Sequence, residues 1–260
     1  MNTEMKDKLE QLYLRYNRRE FIHPDPLEFV YLYKDSADRE IVALIASSLA
    51  YGRVGQILKS VAGVLAPMVP SPSVFVAESS LETIQKTLCD FKHRFATGDH
   101  LASLLSGIKQ VLKRYGSLHA CFMAGMSNDD TVLPALAHFA AEVTAYADGG
   151  AGHLVPSPDR GSACKRLNLF LRWMVRSDDV DPGEWESVSP SKLIVPLDTH
   201  MHRISLSLGL TRRKQANMAT AKEITEAFRQ ISPEDPVKYD FALTRLGMKG
   251  DEELAVFLNE

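Results

Sequence analysis

Cysteine is scarce in this chain, with only Cys89, Cys121 and Cys164 among 260 residues. An odd, scattered set argues against a disulfide framework or a cysteine zinc site. None follows Cys164, so the C-terminal third cannot supply a four-cysteine iron–sulfur cluster. Long apolar runs are missing as well; none approaches the roughly 20 residues that a bilayer span needs. Residues 1–10 are charged and lack the apolar centre of a signal peptide. These absences lead us to expect a soluble, cytoplasmic protein with no membrane partner. Positive charge is not in excess either: 30 Lys and Arg stand against 33 Asp and Glu, a net charge of -3 that argues against a general nucleic-acid coat. What is present in quantity is hydrophobic residues, at 45%. That is enough to bury the core of one large domain or of two interlocked small lobes.

The charge is unevenly spread. Between residues 160 and 214, ten Lys and Arg face six acids, a local excess of +4 that leaves -7 for the remainder. A basic face on an acidic protein can engage one phosphate backbone without binding every polyanion. The plainer reading is a solvated helical surface.

Helical spacing dominates the pattern of apolar residues. Residues 5–18 carry Leu9, Leu12, Tyr13 and Tyr16 on one stripe. Asp38 is positioned to cap a helix running through Ile41, Leu44, Ile45 and Leu49. Further helices are expected over 56–68, 80–89, 99–115 and 131–146, then, after a Gly-, Pro- and Ser-rich loop over 149–160, over 162–176, 198–208, 216–230 and 236–246. The stripe Leu101, Leu104, Leu105, Ile108, Val111 and Leu112 is the clearest. No convincing strand alternation and no internal repeat is visible. The expected fold is all-α, with about ten helices in two lobes, one over 40–176 and the other over 1–39 with 190–260.

Two residues at helix starts carry the chemistry. Lys165 falls in the first turn of the helix expected from Ser162, where the helix dipole disfavours a cation. A neutral amine there is a nucleophile able to form a Schiff base with a sugar carbon; otherwise it is a surface lysine. Asp198 follows Val195-Pro196-Leu197 and precedes Thr199, so it reads first as a helix N-cap worth roughly 1 kcal/mol. It can also serve as a carboxylate that takes a proton or balances positive charge on a sugar, provided a lone pair stays free. Asp198, His200 and His202 would make a metal-ligand pattern on a strand, as in barrel-shaped metal-dependent DNases, whose motif Asp-Thr-His-x-His resembles this one. Only about 60 residues follow, too few for the roughly 200 or more of a barrel. On a helix, residues i and i+2 point about 200° apart. No metal is expected.

The segment Val195-Pro196-Leu197-Asp198-Thr199-His200-Met201-His202-Arg203 is similar to the stretch bearing the catalytic aspartate in helix-hairpin-helix DNA glycosylases. Asp198 matches that aspartate, and Lys165, 33 positions upstream, matches the Schiff-base lysine. This separation resembles that of the archaeal 8-oxoguanine glycosylase branch. Looser similarity extends over about residues 40–247, through segments 41–51, 90–95 and 239–247. The whole chain also resembles a group of bacterial proteins of this length, without an established activity, that carry the same Lys-Arg-Leu-Asn and Leu-Asp-Thr-His strings. The usual Leu-Pro-Gly-Val-Gly hairpin is replaced here; Gly161 is its one glycine.

The resemblance implies a two-lobed helix-hairpin-helix glycosylase fold and a base-excision glycosylase with lyase activity, acting on double-stranded DNA with a damaged base, an oxidised purine by the spacing. No cofactor is implied. Lys165 and Asp198 would be catalytic. Arg160, Arg166 and Arg203 would grip phosphates, while Tyr51, Arg53 and Gln56 would fill the space left by a flipped base. Phe170 and Trp173 would line the base pocket by stacking, or belong to the core; Cys164 reads as an inert thiol. The rival classes are a non-catalytic nucleic-acid-binding module on the same scaffold and the metal-dependent hydrolase using Asp198, His200 and His202.

Overall fold

The computed structural model describes residues 3–146, 150–151, 153–248 and 251–259. Asp148, Gly149 and Gly152, within or beside the loop expected over 149–160, lie outside the described residues. The chain divides into two compact units, Met1–Ile22 with Gly161–Glu260, and His23–Arg160. These boundaries differ from lobes of 40–176 and 1–39 with 190–260. They put Lys165 and Asp198 in one unit.

Helix α1 (Thr3–Tyr16) opens the first unit. The second unit follows with α2 (Ser36–Ser48), α3 (Val54–Leu65), α4 (Pro72–Glu78) and α5 (Leu81–Leu88). Strands β1 (Lys92–His93) and β2 (Ala96–Thr97) then form an antiparallel hairpin. After them come α6 (Gly98–Tyr115), α7 (Leu118–Ala124) and α8 (Leu133–Thr144). The first unit resumes with α9 (Lys165–Val175), α10 (Thr199–Ser207), α11 (Met218–Arg229), α12 (Asp240–Met248) and α13 (Asp251–Asn259). The protein is mostly helical, as its periodicity predicts. The hairpin is the exception: two-residue strands are too short to alternate visibly. Among the described residues, no single helix is long and apolar enough to cross a membrane.

In the second unit, α6 buries Leu101, Leu104, Leu105, Ile108 and Val111 and packs on α5, α7 and α8. Asp38 does not cap α2. Asp35 does, accepting from the Ala37 N–H at 2.9 Å. Asp38 is buried inside the helix, and its Oδ1 accepts from Ser71 Oγ at 2.7 Å and Ser73 N at 2.8 Å. It thereby ties α2 to the start of α4. Glu40 does the same for α7, accepting from Leu118 N and His119 N at 2.9 and 3.2 Å. Buried carboxylates thus satisfy helix N-termini that would otherwise hold orphaned donors.

In the first unit, Leu9, Leu12 and Tyr16 of α1 are buried, and α1 packs on α12, which in turn packs on α10. Glu10 accepts from Lys238 Nζ at 2.8 Å and from the Tyr239 hydroxyl at 2.6 Å, joining residues 228 positions apart.

At Gly107 the backbones of α6 and α8 come close: a Cβ there would lie 1.9 Å from the Val143 carbonyl oxygen. Alanine is favoured over glycine in a helix by about 1 kcal/mol, but a backbone carbonyl cannot rotate away as a side chain would. Gly107→Ala is expected to destabilise the protein by about 1–2 kcal/mol net, read as a lowered urea midpoint.

Candidate functional site

The site lies where two helix N-termini of the first unit meet. Helix α9 starts at Lys165, three residues later than the pattern suggests, because Cys164 adopts a left-handed backbone with φ 47°. The segment before it is latched on both sides. Ser162 pairs with Asn217 in an antiparallel bridge, and Met218 N donates to Gly161 O at 3.2 Å. The Asn168 side-chain amide donates to Ala163 O at 3.0 Å. Lys165 therefore takes the first helical position, on a segment whose backbone is fixed.

Asp198 reaches the same place from the other direction. Residues 193–197 are buried, with Val195 N donating to Thr225 Oγ1 at 3.0 Å, and Asp198 caps α10 as it emerges. Its Oδ1 accepts from His200 N and Met201 N, each at 2.9 Å. Its Oδ2 stands 3.8 Å from Lys165 Nζ. The two carboxylate oxygens thus divide their work: one closes the helix, the other faces the amine. The side chains are 27% and 37% exposed, so a ligand can reach both. An amine and an acid at this distance can exchange a proton or bracket a reacting carbon.

Behind the pair lies a buried ionic network. Arg172, two turns along α9 from Lys165, contacts Asp181 Oδ1 through Nε at 3.1 Å and Asp240 through Nη1. Arg176, one turn further, contacts Asp181, Asp178 at 2.8 Å and Asp235 at 2.9 Å. Tyr13 OH donates to Asp178 at 3.1 Å. Burial pushes the Asp181 carboxyl up to about 6, opposed by both arginines. Asp178 feels burial too, but Arg176 and two backbone N–H groups hold it below the usual carboxylate range. Burial also raises Asp240, against the pull of Arg172; the charge of Asp198 adds to the rise and that of Lys165 opposes it. Asp240 and Arg172 are therefore electrostatic neighbours of the exposed pair, and the sequence pattern missed them. A buried Asp opening the helix after Val237 and Tyr239 was the available signal.

The network also revises the charge count. Arg172 and Arg176 are each 3% exposed, so two of the ten cations between 160 and 214 contribute nothing to a basic surface. Arg203 is exposed on α10 and Arg166 half-buried at the second position of α9. Arg160 is exposed at the end of the other unit, which also holds Tyr51, Arg53 and Gln56. Arg53 and Gln56 are exposed, but Tyr51 is tied down, donating to His93 O at 3.1 Å. Phe170 and Trp173, expected to line a pocket, are core: both are fully buried, and Phe170 meets Trp185 edge to face at 5.2 Å. They lie on the inward stripe of α9 with Leu167, Leu171 and Met174.

The metal reading of Asp198, His200 and His202 does not survive the geometry. The three lie at the start of a helix, with His200 exposed and His202 buried. His202 Nε2 is 2.8 Å from Arg213 O. Among the described residues, no group of three or more His, Cys, Asp or Glu could hold a metal ion.

Arg172→Leu leaves two buried carboxylates short of a cation, and a loss of about 3–5 kcal/mol is expected. The sign with pH follows from the raised groups. A carboxyl raised in the folded state contributes stability that is complete below the ordinary carboxylate range and is lost as pH rises, for Asp181 through about 6. Removing Arg172 raises these carboxyls further. The deficit of the variant in urea denaturation should accordingly be smaller at pH 5 than at pH 8; a larger deficit at pH 5 would contradict the assignment.

No curated protein and no solved structure matches the chain. A family model matches residues 25–249, a span that takes in Lys165 and Asp198, and its description is a protein of unknown function (DUF2400). The match covers most of the sequence, and the chain belongs to the DUF2400 family.

Proposed function

We propose that this protein is a DNA base-excision glycosylase with lyase activity, in which Lys165 is the nucleophile and Asp198 its proton acceptor. The observation that carries the reading is the 3.8 Å approach of Lys165 Nζ to Asp198 Oδ2, with Oδ1 of the same carboxylate already committed to the helix. The resemblance of the Asp198 segment to helix-hairpin-helix glycosylases, and the helical fold, support it. The 33-residue separation favours an oxidised purine as the base removed.

Lys165 Nζ, as the neutral amine, adds to C1′ of the damaged nucleotide while the C1′–N bond breaks and its electron pair leaves on the base. Asp198 Oδ2 takes the proton from the new ammonium and, while ionised, balances the positive charge developing on the sugar. Asp198 returns that proton to O4′ as the C1′–O4′ bond opens, giving an iminium; loss of a C2′ proton then expels the 3′ phosphate and cuts the strand. Extrusion of the base from the duplex precedes these steps. Arg166 and Arg203 are the cations of this unit suited to flanking phosphates.

Borohydride reduces such an iminium to a stable amine, so the wild-type protein should be trapped covalently on a duplex carrying an oxidised purine or an abasic site. Lys165→Ala should abolish trapping. Asparagine caps a helix about as well as aspartate, so Asp198→Asn should keep stability within about 0.5 kcal/mol of wild type while turnover falls about 10²- to 10⁴-fold. Asp198→Ala should lose the cap as well, about 1 kcal/mol. Wild-type protein that is never trapped on any damaged duplex would refute the nucleophile.

A further inference from the structure

The second unit carries an exposed aromatic on an unusually rigid mount. Phe95 is 74% exposed, more than any other large apolar side chain among the described residues. It sits with Arg94 in the two-residue turn of the β1–β2 hairpin, whose last rung is His93 with Ala96. Arg94 has φ 52°, a conformation usually left to glycine at the first position of such a turn.

The turn is braced from below. His93 Nε2 lies 2.9 Å from Tyr51 O, and the Tyr51 hydroxyl donates back to His93 O at 3.1 Å. The two rings meet edge to face at 4.7 Å. Ser60 Oγ on α3 lies 2.9 Å from His93 Nδ1. The Arg94 side chain covers Gly52, where a Cβ would come within 2.9 Å of its Cδ, and its guanidinium lies over the Phe95 ring at 5.6 Å. Gly52 itself has φ 99°, so a side chain there would be strained as well as crowded.

Single exposed apolar residues are ordinary. Leu14, Leu32 and Val69 are also exposed, but none of them has a positive φ. At the turn, strain, exposure and a fixed base coincide, a combination that points to function. Arg94 in the turn and Arg53 next to Gly52 are both exposed cations. Lys92 sits on the outer rung of the ladder, with the exposed acids Asp90 and Asp99 beyond it, away from the turn. An aromatic face set among cations fits a nucleobase flanked by phosphates.

We propose that the Arg94–Phe95 turn is a base-stacking contact for DNA, with Phe95 supplying the ring and Arg53 and Arg94 holding the adjacent phosphates. The proposal rests on the glycosylase reading of Lys165 and Asp198 for the identity of the nucleic acid. It replaces Tyr51 and Gln56 as the residues that enter the duplex.

The test is equilibrium binding of the full chain to a fluorescent duplex containing a tetrahydrofuran abasic analogue, which cannot form an iminium. Phe95→Ala should bind about tenfold or more weakly, with an unchanged melting temperature and an unchanged salt slope. Phe95→Trp should restore binding. Arg94→Gly suits the backbone and should lower the salt slope by about one counterion. Wild-type affinity for Phe95→Ala, alongside borohydride trapping of wild type, would overturn the stacking contact and leave the glycosylase reading intact; the ring would then belong to a protein contact. Weakened binding by Phe95→Ala without any trapping would support the contact and remove Lys165 as nucleophile. No salt-sensitive DNA binding by wild type would overturn both.

Discussion

Arg172 is the residue on which the first unit is organised. A guanidinium buried to 3% exposure survives only with its charge met, and here Asp181 and Asp240 meet it from two different segments, through Nε and Nη1. The fork thereby holds α9 to the loop after it and to the first turn of α12. Because α12 also packs on α10, the helix bearing Lys165 and the helix capped by Asp198 are referenced to one common element. Arg176 repeats the arrangement one turn on, with Asp178, Asp181 and Asp235. Such networks contribute little net stability over an apolar core. Their use here is geometric: they hold α9 against α12, on which α10 also packs.

That geometry allows one carboxylate to do two things. A capping aspartate normally spends itself on the backbone N–H groups of its own helix. Asp198 satisfies two of them with Oδ1 alone, which leaves Oδ2 turned toward Lys165. The cap fixes the carboxylate plane, and the fixed plane aims the second oxygen. Positioning of this kind costs no extra ordering when a ligand arrives.

Much of the first unit could be read in the sequence, and what escaped has physical causes. Asp198 as a cap followed from Leu197 and Thr199, because capping is local chemistry. The start of α9 was missed by three residues because Cys164 is left-handed, a conformation its residue type does not announce. Asp38 read as a cap because the stripe starts just after it, whereas Asp35 does that work and Asp38 reaches a helix 35 residues away. Arg172 and Arg176 read as surface charge because burial of an arginine depends on partners distant in sequence, Asp240 being 68 positions on. Phe170 and Trp173 belong to the stripe of Leu167, Leu171 and Met174, and the spacing alone already allowed a core role. The β1–β2 hairpin left no periodic trace, since each strand has two residues.

The first unit is assembled from the two ends of the chain, with the whole of His23–Arg160 between them. The packing of α1 on α12 and the Glu10 clasp both wait for Lys238 and the helix that follows it. On the ribosome, at roughly 5–20 residues per second, that interval lasts on the order of ten to forty seconds. Through that interval α1 has Tyr16 against Phe21 but no α12 to cover it. The discontinuous topology therefore leaves the contact of α1 with α12 to form only after the inserted unit has been made.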